Sequence, residues 1–102
     1  DIAKSFEDNV CNVLVSHTIE AMKENNINKV ALAGGVAAND VLRKLLVQRA
    51  KENNFEAYIP DLEYCTDNAA MIAMAGYYNC LAGKCTNDLS LNARACINIE
   101  EE

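Results

Sequence analysis

The first 25 residues carry mostly apolar side chains at helical spacing. Steps of four, four, three, four and four residues separate six mostly apolar positions, Ile2, Phe6, Val10, Val13, His17 and Ala21. This is the spacing of one face of an α-helix. The pattern predicts a first helix that buries this face and ends near Asn25-Asn26.

A second helix is expected after a short strand. Residues 29–33 are apolar after the first lysine and run into Gly34-Gly35, which is typical of a buried strand of the parallel type that enters a tight turn. Asn39-Asp40 then stands where a helix N-cap belongs, and the helix is predicted to end near Asn53-Asn54. Its apolar face consists of Val41, Leu42, Leu45, Leu46 and Ala50.

The remaining pattern completes an α/β order. Apolar residues occupy the odd positions of residues 55–59 until Pro60 ends the alternation, which predicts a second short strand. The odd positions of residues 89–99 are apolar as well, so a final extended segment is expected there. The order helix, strand, helix, strand, helix favours an α/β fold with a single domain over residues 1–102.

Residues 69–82 predict a third helix that is apolar around its whole circumference. Thr66, Asp67 and Asn68 can each cap its start, and Gly83 is a natural left-handed stop. Such a helix must be covered on all sides, and two short strands with two helices offer too little cover. We therefore expect the chain either to self-associate through this surface or to belong to a larger protein that supplies the cover.

Net charge, cysteine spacing and the length of apolar stretches exclude several classes of protein. The 102 residues carry a net charge of −6, so this chain alone is expected to be a poor nucleic-acid binder. Five cysteines without paired spacing argue against a disulfide framework or a four-thiolate zinc site, and favour a reducing, cytoplasmic environment. No apolar stretch approaches the ~20 residues of a membrane helix, so no membrane span is expected. The sequence starts at Asp1 without a basic-plus-apolar leader, so no secretory signal peptide is expected.

The segment from residue 32 to residue 39 is the first candidate site. Gly34 and Gly35 would let a ligand approach the backbone closely, and the helix N-terminus that follows favours an anion. The segment is neither a P-loop nor a dinucleotide-binding fingerprint. From spacing alone, a structural turn capped by Asn39 is the preferred interpretation, and an anion site is the alternative.

The second candidate site is Cys-Thr-Asp-Asn at residues 65–68. Asp67 could ligate a cation or simply cap the following helix, and spacing favours the cap. Any metal must be completed by another polypeptide, because the chain has one histidine and no Cys-x-x-Cys. Cys65 could be a nucleophile near a helix N-terminus, but no partner histidine can be named. His17 is assigned no role.

Two motifs occur together in this order, Leu-Ala-Gly-Gly-Val-Ala-Ala-Asn at residues 32–39 and Cys-Thr-Asp-Asn-Ala-Ala-Met-Ile-Ala at residues 65–73. The pair resembles the C-terminal part of the tRNA adenosine threonylcarbamoyltransferases, a family formerly called O-sialoglycoprotein endopeptidases or glycoproteases. The likeness extends from the first helix through Gly76, and more weakly to residues 88–90. The Cys-Thr-Asp-Asn form resembles the bacterial branch.

The resemblance implies an actin-like ATPase fold of two ribonuclease-H-like lobes, of which this chain is part of the second. It implies transfer of a threonylcarbamoyl group from threonylcarbamoyl-adenylate to the exocyclic amine of the adenosine beside the anticodon of tRNA. The implied partners are the missing N-terminal lobe, an inactive paralogue and a P-loop ATPase.

The resemblance also assigns residues. Asn39 matches the asparagine that contacts ATP or the adenylate, Gly34 and Gly35 lie beside the nucleotide, and Asp67 completes an iron or zinc site. The other two ligands, a His-x-x-x-His pair, belong to the N-terminal lobe, so the chain alone is expected to be inactive and to hold no catalytic residue. The alternative is a non-catalytic module that binds a nucleotide or a protein. The older endopeptidase label has no support, because neither His-Glu-x-x-His nor a nucleophile–base pair is present.

Overall fold

The computed structural model describes residues 1–86, 88–90, 92–93 and 95–96. The elements follow the order α1 (Ile2–Glu24), β1 (Lys29–Ala31), α2 (Asp40–Glu52), β2 (Glu56–Tyr58) and α3 (Ala69–Leu81), with short 3-10 turns at Gly35–Ala38 and Leu62–Tyr64. Over these described residues the fold is α/β, with three helices and a two-stranded parallel sheet. The chain divides into two compact units, Asp1–Asn68 and Ala69–Glu102.

The sheet of the first unit is parallel, as the sequence predicts. Lys29 pairs with Glu56, Val30 with Ala57, and Ala31 with Tyr58. β1 is shorter than predicted, and Val30 is its one half-buried residue. The prediction of a buried strand is wrong because alternate residues of a strand point to opposite faces, and only one face of β1 packs on the core.

The core of the first unit lies between α1, α2 and the sheet. Six buried residues form its central cluster, and half-buried side chains of the sheet region pack against it. The α2 face is confirmed, since Leu42, Leu46 and Ala50 are buried and Val41 and Leu45 are half-buried.

The predicted buried face of α1 is wrong. All six of its residues are exposed, including Ile2 at 90% and Phe6 at 71%, and His17 is neither a core residue nor half-buried. The helix instead buries Cys11, Val15, Ile19 and Met22. These four residues have the same helical spacing and lie on nearly the opposite side of the helix, at 100° per residue. Spacing alone does not tell which of two such stripes meets α2.

The predicted helix ends are confirmed, and asparagine chemistry explains two of them. Asn26 and Asn54 adopt φ of 54° and 57°, a left-handed conformation that asparagine tolerates better than most residues. The N–H groups that follow them close the helix ends, from Ile27 to the carbonyl of Met22 and from Phe55 to the carbonyl of Ala50.

The second unit contains α3. The predicted helix is confirmed to within one residue, and Gly83 ends it with φ of 72°. None of the residues of α3 is buried. In the described part of residues 84–96 there is no strand. Positions 91, 94 and 97–99 of the predicted extended segment lie outside the described residues. No helix among the described residues has the length and apolar character that crossing a membrane requires.

Candidate functional site

Two loops follow the carboxyl ends of the parallel strands. We call residues 32–39 the glycine turn, which follows β1, and residues 59–68 the second loop, which follows β2. Because the strands are parallel neighbours, both loops start at the same edge of the sheet. In open α/β sheets, this edge is where ligands bind.

The glycine turn is open on its outer side. Gly34 has φ of 88°, a left-handed conformation that favours glycine. A Cβ atom built on either Gly34 or Gly35 would have no atom within 4 Å. Ala37, fully buried, anchors the turn, and its N–H donates to the carbonyl of Gly34 at 3.0 Å. The turn therefore combines a fixed backbone with free space over its glycines.

Asn39 caps α2, as its spacing predicts. Its Oδ1 accepts the N–H of Leu42 at 2.9 Å and the thiol of Cys11 at 3.8 Å, and its Nδ2 donates to Glu7 Oε1 at 2.7 Å. A side-chain amide has two N–H donors and two acceptor lone pairs. Both acceptor positions of Asn39 are thus used, and its second N–H has no acceptor among the residues that the structure describes.

The thiol of Cys11 is protonated when it donates its hydrogen bond to Asn39 Oδ1. Burial, followed by the carboxylates of Glu7 and Asp8, raises the pKa of the Cys11 thiol. A neutral thiol can donate to the oxygen of Asn39, whereas a thiolate would repel it. The buried α1 stripe therefore contributes directly to the orientation of the cap.

Arg43 joins the two loops. Its Nη1 donates to the carbonyl of Ala37 in the glycine turn at 2.9 Å and to Cys65 Sγ at 3.5 Å, and its Nη2 donates to the carbonyl of Pro60 at 2.6 Å. Arg43 is half-buried. Its planar fork of donors suits three acceptors that lie in different directions.

Cys65 is a packing residue of the second loop. It is 2% exposed, and its thiol donates to the carbonyl of Asp61 at 3.6 Å while accepting from Arg43. A buried thiol with both contacts satisfied is not presented to a substrate. The nucleophile alternative for Cys65 is therefore wrong.

Asp67 lies exposed in the second loop, two residues beyond Cys65 and two before the start of α3. In the part of the chain that the structure describes, no group of three or more His, Cys, Asp or Glu side chains is placed to hold a metal ion. Asp67 can offer one carboxylate, and the further ligands would have to come from outside these residues.

Sequence reasoning missed Arg43, Glu7 and Cys11 in this site. Arg43 did leave a signal, because a cation in the first turn of a helix opposes the helix dipole and needs nearby acceptors. Glu7 and Cys11 left none, since their contact with Asn39 joins positions about thirty residues apart in sequence.

Comparison with known proteins confirms the resemblance carried by the two motifs. Residues 1–74 match the family model described as TsaD, tRNA N6-adenosine threonylcarbamoyltransferase. The tRNA N6-adenosine threonylcarbamoyltransferase of Caldicellulosiruptor saccharolyticus is 50% identical over 99 residues, which cover 97% of this chain and 29% of that protein.

Two further relatives of the same name agree. The protein of Carboxydothermus hydrogenoformans is 47% identical over 102 residues, and that of Clostridioides difficile is 45% identical over 101 residues. The alignments cover 100% and 99% of this chain, and 30% of each relative. The chain thus spans about three tenths of the length of the curated relatives it matches.

Proposed function

The chain belongs to the TsaD family of tRNA N6-adenosine threonylcarbamoyltransferases, and from this premise we propose that it supplies one wall of the active site of such an enzyme. The fold we propose for the whole enzyme is actin-like, with two ribonuclease-H-like lobes, and this chain is part of the second. The reaction is transfer of a threonylcarbamoyl group from threonylcarbamoyl-adenylate to the exocyclic amine of the adenosine beside the anticodon.

The observation that carries this proposal is the pairing of Asn39 with the glycine turn. Asn39 is held by three hydrogen bonds, and its second N–H has no acceptor in the described part of the chain. The glycines beside it leave open space. A fixed donor next to an accessible backbone and the N-terminus of α2 suits a nucleotide with its phosphates. We assign ATP or threonylcarbamoyl-adenylate to this wall, with Gly34 and Gly35 beside it.

Asp67 is proposed as one ligand of an iron or zinc ion. One carboxylate does not hold either metal in water, whereas two histidines with a carboxylate do. The described residues of this chain do not form such a set, so the chain alone does not fit the metal. We therefore place the histidine pair in a lobe outside this chain, and we derive no chemical step through the ion.

The proposed partners supply cover for the glycine turn and α3 and a binding surface for tRNA. An N-terminal lobe would close the cleft over the glycine turn and cover the apolar surface of α3. The net charge of −6 makes this chain a weak surface for tRNA, so tRNA is expected to meet basic surfaces of the complete enzyme, its inactive paralogue and a P-loop ATPase. The chain alone is expected to be inactive, and the cytoplasm is its proposed location.

A chimaera tests this proposal. This chain would replace the matching segment of a family-length relative, and threonylcarbamoyl transfer to tRNA would be measured together with bound metal. We expect an active chimaera, an inactive isolated chain, and loss of most activity and of metal in both Asp67→Asn and Asp67→Ala.

The capping interpretation of Asp67 predicts a different pattern. Asp67→Asn would then keep its metal and full activity, and Asp67→Ala would only lower the melting temperature. A folded chimaera that binds nucleotide without any transfer would instead favour the non-catalytic binding module.

A further inference from the structure

We propose that Arg43 is a positioning residue, which holds the second loop against the glycine turn and so sets the place of Asp67 relative to Asn39. This inference rests on the proposed function, because it concerns the two residues to which that function assigns the nucleotide and the metal.

Arg43 lies in the first turn of α2. Its backbone N–H donates to the carbonyl of Asn39 at 3.1 Å, so the arginine stands one helical turn beyond the cap. The groups that accept hydrogen bonds from Arg43 are therefore positioned relative to the N-terminal end of α2, the same end that Asn39 caps.

The three acceptors of Arg43 come from both loops. Ala37 lies in the glycine turn, two residues before Asn39, whereas Pro60 and Cys65 stand at the beginning and near the end of the second loop. One rigid, planar group thus bridges the loops that follow β1 and β2. Hydrogen bonds from a charged donor are stronger than those between neutral groups.

The link from Arg43 to Asp67 is short. Cys65 is buried and is also bonded to the carbonyl of Asp61, which closes the second loop on itself. Asp67 follows two residues later and is exposed. Its location therefore depends on where Cys65 is held, and a displacement of about 1 Å at a reacting centre can reduce a rate about a hundredfold.

Lysine could not replace this arrangement. Its ammonium is a single point of charge on a flexible stem and does not reproduce the planar fork. We expect Arg43→Lys to behave more like Arg43→Met than like the wild type. Arg49→Met is the matched control, because Arg49 lies on the same helix, is exposed, and pairs with Glu52 at 3.5 Å rather than with either loop.

The first test uses the 102-residue chain itself. The alkylation rates of Cys65 and Cys11 by iodoacetamide are measured by mass spectrometry. Arg43→Met and Arg43→Lys should increase the rate at Cys65 at least about tenfold through local opening of the loop, with Cys11 unchanged. No increase beyond that of Arg49→Met would overturn the proposal. Equal increases at Cys65 and Cys11 would also overturn it, because they would indicate a general loss of stability.

The second test uses the chimaera described above. Arg43→Met should reduce kcat by about a hundredfold and change the KM for threonylcarbamoyl-adenylate little, because the glycine turn and Asn39 remain in place. Full kcat despite fast labelling of Cys65 would refute the positioning role. An inactive parent chimaera would refute the proposed function alone, since the labelling result would still decide whether Arg43 holds the loops.

Discussion

Helices α2 and α3 have thirteen residues each and opposite surroundings. α2 contains both charged and apolar residues, and it buries Leu42, Leu46 and Ala50. α3 contains no charged residue, and it buries none of its side chains. The more apolar helix is thus the less buried one.

Burial in these two helices follows the arrangement of apolar residues rather than their number. An apolar stripe on one side of a helix can be satisfied by a single packed layer, and the polar side then faces water. A helix that is apolar all round needs cover on every side. α2 packs its apolar stripe within its own unit, whereas α3 buries no side chain, and we expect a partner surface to cover it.

Truncation within the buried stripe of α2 should have the largest effect. Leu46 is 3% exposed in the core cluster, and Leu46→Ala is expected to lower the free energy of unfolding by about 2–5 kcal/mol. Ile72→Ala on α3 is the matched control, because Ile72 is 70% exposed. It should change this free energy by less than about 0.5 kcal/mol. Urea denaturation followed by circular dichroism measures both variants, and equal losses would remove the contrast between the helices.

The cap of α2 should have the next largest effect. Asn39→Ala is expected to lower the free energy of unfolding by about 1–2 kcal/mol, because the N–H of Leu42 loses its acceptor. Asn12→Ala is the control, since Asn12 donates to the carbonyl of Asp8 within its own helix and is exposed. Denaturation midpoints compare the two variants. A loss in Asn12→Ala as large as that in Asn39→Ala would contradict the role of the cap.

The elements themselves could be predicted because their signals are local. The three helices end where the sequence predicts, at Asn25-Asn26, Asn53-Asn54 and Gly83. The conformation of a helix end depends on the residue that occupies it. The parallel pairing of β1 and β2 was likewise expected, because a helix joins the two strands.

The contacts of the site could not be predicted because they join distant positions. Arg43 meets Ala37, Pro60 and Cys65 only after both loops have reached the same edge of the sheet. The buried face of α1 presents the same difficulty, because two stripes have helical spacing and the packing of α2 selects one. A glycine pair and an asparagine cap indicate a turn from local sequence. The residues that contact this turn are determined by tertiary structure.

Self-association of the isolated chain should occur through α3 rather than through its other exposed surfaces. The exposed apolar surface of α3 predicts that the isolated chain associates at micromolar concentration. Ile72→Lys is expected to weaken association at least about tenfold, or 1.4 kcal/mol. Sedimentation equilibrium measures this, with Phe6→Lys on the exposed side of α1 as the comparison. A monomeric wild-type chain, or a larger effect of Phe6→Lys, would show that α3 is not the surface responsible.

The smallest expected effect lies at the sheet of the first unit. Tyr58 donates its hydroxyl to Glu56 Oε2 at 2.6 Å, and Lys29 Nζ lies 3.7 Å from the same oxygen. The hydrogen bond from Tyr58, followed by the charge of Lys29, lowers the pKa of Glu56. The folded state therefore gains stability above the ordinary glutamate pKa and loses this gain as the pH falls through the lowered value.

Titration of Glu56 by NMR tests the order of these causes. Tyr58→Phe should raise the pKa of Glu56 more than Lys29→Met does, because the hydrogen bond is the larger cause. The stability difference between Tyr58→Phe and the wild type should shrink in acid, where Glu56 is protonated in both. A larger shift from Lys29→Met would reverse the assignment.

Calorimetric titration with ATP measures whether this chain supplies one wall of a nucleotide site. Much of the affinity of a ligand site comes from enclosure, and the glycine turn with Asn39 is open on its outer side. The isolated chain should therefore give no saturable heat at micromolar concentration, whereas the chimaera should bind ATP and lose affinity in Asn39→Ala. Submicromolar binding by the isolated chain, or equal affinity in the chain and the chimaera, would contradict the account.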